Sequence, residues 1–156
     1  MKTCNLCWTI STALVLIVIG MAYKFFVVGS VVPDTDGREA IILESTERDL
    51  VREEMRMFLS SIQKITGALS VEDMEATAKA AREVGAASQQ AVPGTLMGKL
   101  PMSFKKLGFD THSKFDALAL DAESLGDSQH SLQQLSTLMK NCIDCHSIYQ
   151  IQSSGK

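Results

Sequence analysis

Two cysteines three residues apart, with a histidine directly after the second, stand near the C-terminus as Cys142-Ile143-Asp144-Cys145-His146. This spacing suits covalent attachment of a c-type haem. On a helix, residues i and i+3 project from one face, so both thiols can add to the two vinyl groups of one porphyrin. His146, four residues after Cys142, shares that face and can give an imidazole nitrogen to the iron as proximal ligand. Two other chemistries use such a pair. A thioredoxin-like dithiol wants a βαβ setting, and no strand pattern supplies one. A zinc site needs more ligands than His112 and His130 offer at their spacings. The pattern predicts one covalent haem c.

A second pair, Cys4-Asn5-Leu6-Cys7, is followed by Trp8 instead of histidine and borders an apolar run. Incidental thiols, acylation and a redox role stay open for it. From Trp8 to Tyr23 the chain carries no charge, and FFVVGSVV continues the run after Lys24. About 20 apolar residues suffice to cross a bilayer. The run outlasts the usual h-region of about 7–15 residues in a cleavable signal, which favours an uncleaved anchor. Cleavage after Ala22 or Ser30 is the alternative. In either case the domain beyond is expected on the exported side of a bacterial inner membrane, in the periplasm.

The charge pattern divides in the same place. All 18 acidic residues lie at or beyond Asp34, whereas the basic Lys2 and Lys24 precede it. An acidic domain lacks the basic face that nucleic-acid binding requires. It favours redox partners with a basic docking face instead. No nucleophile, acid–base pair or phosphate loop is recognisable, so an enzyme is not expected.

The elements that must position the haem read as helices throughout. Residues 1–30 form the anchor or signal segment, 31–44 a turn-rich linker around Pro33-Asp34-Thr35-Asp36-Gly37, and 45–151 the haem domain. Val51, Met55, Phe58, Ile62, Ile65 and Leu69 follow a 4-3-4-3-4 spacing, which predicts a first domain helix over 45–69. Ser70-Val71-Glu72-Asp73 reads as the cap of a second, alanine-rich helix ending at Pro93-Gly94. A loop containing Pro101 is expected to run to about Asp110. A third helix follows and is closed by Gly126. Asp127 or Ser128 starts a fourth, with Leu132, Leu135, Met139 and Cys142 inward and its end near Ile151. The predicted fold class is all-α: an antiparallel four-helix bundle with an N-terminal transmembrane helix.

A CxxCH near the end of the last helix, followed by Ser147-Ile148-Tyr149, resembles the cytochrome c-prime family of four-helix-bundle haem proteins. Leu107-Gly108 and the stretch His112 to Asp116 also resemble the start of that family's third helix. The likeness covers about 45–151. Gln150 stands where members usually carry an arginine near the haem edge. The resemblance implies that the sixth iron position decides function. Members with an apolar group there bind NO or CO at a five-coordinate iron; members with methionine carry electrons. Met55 and Met57 both lie on the first helix, about 200° apart around its axis. Met55 shares the apolar seam and is the expected distal ligand; Met57 and an open iron are the alternatives. Arg52, one turn before Met55, is a candidate propionate contact. His112 and His130 are expected at exposed helix ends. Family members often dimerise through their first two helices, and the small residues of the second helix permit a homodimer here. The expected activity is single-electron carriage. Gas binding at an open iron and a haem-bearing subunit of a membrane redox complex are the alternatives.

Overall fold

The computed structural model describes residues 2–154, without the side chains of residues 2–4, 90 and 91. The apolar run forms α1, Lys2–Tyr23, and one wider turn carries it on through Lys24–Val28. The span Asn5–Val28 is long and apolar enough to cross a membrane, and its apolar side chains are exposed.

Beyond Gly29 come β1 (Val31–Pro33) and β2 (Glu39–Leu43), joined by the turn at Asp34–Gly37. They are followed by α2 (Ser45–Leu69), α3 (Met74–Arg82), a 3-10 turn (Ala86–Ala91) and the short α4 (Gly94–Lys99). Two long helices, α5 (Met102–Leu125) and α6 (Ser128–Ile148), lead into β3 (Tyr149–Ser153). The chain is mostly helical but not all-α. β2 pairs antiparallel with β1 and parallel with β3, placing Ile41 opposite Ile151. The stretch expected as a linker therefore holds two strands, and the third takes the end expected to continue the last helix.

The first domain helix matches its expected bounds. The Glu44 amide donates to Glu47 Oε2 at 3.0 Å at its start. The expected second helix is cut short. His112 Nδ1 lies 2.8 Å from the Val84 carbonyl, and Asp116 accepts from the Ala86 amide at 2.9 Å. These α5 side chains take backbone groups that a continuing helix would have paired. α5 also begins earlier than expected, directly after Pro101, whose fixed φ suits a helix start.

Alanines 78, 80 and 81 are buried and let α3 pack between α2 and α5, while α5 packs on α6. The contact of α2 with α6 is lighter. The core has two parts. Phe58, Ile65, Phe115, Leu118, Leu135 and Leu138 centre the first; Ile41, Leu43, Val51, Leu96, Leu100 and Tyr149 form the second, over the sheet. Leu132 and Met139, expected inward, are exposed; Leu135 and Leu138 hold the inner face of α6 instead.

Candidate haem-binding site

Cys142 and Cys145 lie on α6, both half-buried and neither in a disulfide. Burial pushes the Cys142 thiol up from its usual value. Burial, with Cys142 beside it, pushes Cys145 up to about 11. Both are thus held as neutral thiols near pH 7. Asn141, immediately before the pair, is buried and fixes the rotation of α6 against α5. Its Nδ2 donates to Asp110 Oδ2 at 2.7 Å and to Thr111 Oγ1 at 3.1 Å, and its Oδ1 accepts from Lys114 at 3.0 Å. Lys114 and Asn141 in turn hold the Asp110 carboxyl below its ordinary range.

Cys145 packs against the second core cluster, and so does Met55 from α2. Met55 touches the first cluster as well, so it sits where the two meet. Met57 is more exposed and lines a cleft of about 310 Å³ between α2, α4 and α5. Neither Cys142, Cys145 nor His146 borders that cleft. His146 is exposed, and its imidazole has no hydrogen-bond partner among the described residues. Arg52 is exposed and has no ion-pair partner among them.

This donor set fits a c-type haem: two unpaired thiols at i and i+3, an unpaired imidazole one residue on, and a thioether on the apolar cluster that Cys145 touches. It fits a bare metal ion poorly. No group of three or more His, Cys, Asp or Glu able to hold one is found among the described residues. Cys7 is free and exposed, and the side chain of Cys4 lies outside the described residues.

Three features lay outside the motif reading. Gln150 accepts from Arg38 Nη2 at 3.2 Å, and Arg38 Nη1 lies 3.4 Å from the His146 carbonyl. A guanidinium therefore stands beside the end of α6, delivered by the β1–β2 turn and paired with Asp36. Tyr149 is buried against Phe104, and its hydroxyl pairs with Ser103 on α5, which ties β3 to the bundle. His112, expected at an exposed helix end, is 1% exposed, because the early start of α5 puts it in the third turn facing α3. Burial works against its charged form, but Glu54 Oε1 at 3.2 Å and the Val84 carbonyl outweigh that and raise its pKa. His130 is half-buried, not exposed, with Nε2 at 3.2 Å from Asp121 Oδ2.

Compared with protein-family models, with curated proteins and with solved structures, this chain matches none. Its function has to be read from its own residues.

Proposed function

We propose that this chain is a membrane-anchored c-type cytochrome that carries single electrons at the periplasmic face of a bacterial inner membrane. On this reading α2, α3, α5 and α6 are the four sides of a bundle of the cytochrome c-prime kind. The observation that carries it is the unpaired Cys142–Cys145 thiol pair on α6, with Cys145 and Met55 against one apolar cluster. Cys142 and Cys145 would hold the haem as thioethers, and His146 and Met55 would be the ligands of its iron. When bound, the haem supplies one-electron chemistry, and a methionine opposite a histidine raises its potential.

The chain's own residues provide the setting. Asn141 fixes the turn of α6 that bears the thiols, and the buried Ile41, Leu43, Val51 and Tyr149 keep water from Cys145. The light contact of α2 with α6 leaves that seam the least closed of the helix pairings around the core. Met55 is favoured over Met57, which belongs to a cleft that the CxxCH residues do not border. Arg38 keeps a positive charge near His146 where Gln150 replaces the family's arginine. Arg52 is a candidate propionate contact. The acidic domain suits a redox partner with a basic docking face.

The docking of residues 26 and 30 on the helical domain argues against cleavage after Ser30. Ser30 donates to the Lys99 carbonyl at 2.7 Å, and Lys105 donates to the Phe26 carbonyl at 3.1 Å. Cleavage after Ser30 removes the partners of both bonds from the mature chain.

The test is optical, on full-length chain co-expressed with a c-type maturation system. The expected wild-type spectrum is low-spin; Met55→Ala turns it high-spin and CO-reactive, and Met57→Ala leaves it unchanged. A wild-type ferrous form that is already high-spin and binds CO, with Met55→Ala silent, overturns the electron-carrier reading in favour of gas binding.

A further inference from the structure

The cleft between α2, α4 and α5 is left without a role by the haem reading. Its volume of about 310 Å³ reaches the range of small-ligand pockets. Its walls are largely apolar, with Leu50, Met57, Leu96, Phe104 and Phe109 among them. It has a direction. Phe104, Lys105, Gly108, Phe109 and His112 line it along one face of α5, about two helical turns from end to end.

At the Lys105 end the cleft meets the exit of the membrane span. Lys105 Nζ donates to the Phe26 carbonyl at 3.1 Å. The ring of Phe25 lies directly over Gly98 of α4, where a Cβ would come within 2.2 Å of it. At the other end is a polar pair, His112 Nε2 and Glu54 Oε1, 3.2 Å apart. The Val84 carbonyl occupies Nδ1, so the tautomer is fixed and the proton between Nε2 and Oε1 belongs to the pair. That proton is spent within the pair, so the second oxygen of the half-buried Glu54 is what a neutral head group meets, an acceptor for a hydroxyl. Glu53 lines the cleft as well, and the cation in the lining, Lys105, is held by the Phe26 carbonyl at the opposite end, so the Glu54 end disfavours a fatty-acid or phosphate head.

From this we propose that the cleft binds a quinol of the membrane phase, its ring hydroxyl donating to Glu54 and its tail running along α5 toward Phe25 and Phe26. The inference rests on the anchored part of the reading above, and not on the haem.

The test uses full-length chain in phosphatidylcholine nanodiscs, titrated anaerobically with decylubiquinol. Gly108→Leu is the decisive variant. A Cβ at Gly108 meets nothing within 4 Å, so the leucine grows into the cleft without disturbing the core. Wild type is expected to show one saturable site, and Gly108→Leu to lose roughly tenfold or more in affinity at unchanged helix content. Glu54→Gln is expected to weaken binding by about the same factor, the usual scale for a hydrogen bond to a charged group. Equal uptake by wild type and Gly108→Leu overturns the proposal. So does displacement of decylubiquinol by equimolar oleate, which assigns the cleft to an acyl chain. Loss of haem from Gly108→Leu overturns it too, by placing the haem in this cleft. Fractionation of the same cells separates the two readings: chain in the soluble fraction removes the anchor, whereas membrane-bound chain without a saturable site removes the quinol cleft alone.

Discussion

Replacing Gly29 by alanine should undock the membrane-exit segment from the helical domain. Gly29 has φ +71° and ψ −159°, a region open essentially to glycine alone. A Cβ there would lie 2.5 Å from the Lys99 oxygen, 2.7 Å from the Pro101 nitrogen and 2.8 Å from the Leu100 carbonyl carbon. All three are backbone atoms, so no side chain can swing aside to make room. Strained backbone of this kind costs about 1–3 kcal/mol. Undocking relieves that strain and breaks the Ser30 N–H to Lys99 carbonyl bond, 2.7 Å long, which wild type loses on undocking as well. The docking equilibrium is therefore shifted by the strain alone, about 1–3 kcal/mol, and each 1.4 kcal/mol is a factor of about ten. Amide hydrogen exchange on the full-length chain reads this directly. The Ser30 amide should exchange between about fivefold and about 150-fold faster in Gly29→Ala, and amides buried in α5 should not change. Gly20→Ala is the control, since nothing lies within 4 Å of its Cβ position. Unaltered exchange at Ser30 in Gly29→Ala would refute the docking and with it the argument against cleavage after Ser30.

Three further outcomes are expected. Phe115, fully buried and stacked on Phe58 at 5.5 Å, should cost about 3–5 kcal/mol when replaced by alanine, read as a lower urea midpoint. The raised His112 pKa makes its contribution fully present below pH 6.5, the unperturbed value, and lost as pH rises through the folded value. The urea midpoint should therefore fall as pH is raised above 6.5, and Glu54→Gln should flatten that dependence; a midpoint equally pH-dependent in both proteins contradicts the pairing. In haem-free chain, Cys145 should alkylate with iodoacetamide far more slowly at pH 8 when folded than after unfolding in urea, because burial pushes its thiol to about 11. Equal rates would mean that Cys145 is not packed on the apolar cluster.

Helix α2 could be read from the sequence to its end residues, because its seam of Val51, Phe58, Ile65 and Leu69 is regular and its boundaries carry turn and cap residues. Gly126 and Asp127 marked the break between α5 and α6 for the same reason. The sheet could not be read this way. Its strands have three to five residues, too few for a period, and β2 finds β3 more than a hundred positions away. The early end of α3 was hidden because its cause lies in another helix: His112 and Asp116 capture the backbone at Val84 and Ala86. The same separation hid Arg38, which reaches His146 only once β2 lies beside β3. In the site itself, the thiol pair and His146 followed from local spacing, and Met55 from the helical seam. The cleft and its Glu54–His112 pair needed three elements in place.

The central claim is that Cys142 and Cys145 hold a haem covalently. Intact-mass measurement after acid–acetone extraction tests it most directly, on chain co-expressed with a c-type maturation system. Wild type should keep the mass of one haem, and the Cys142→Ala, Cys145→Ala double variant should keep none. A wild-type chain that leaves extraction at its bare polypeptide mass, with both thiols still alkylatable, would contradict the account.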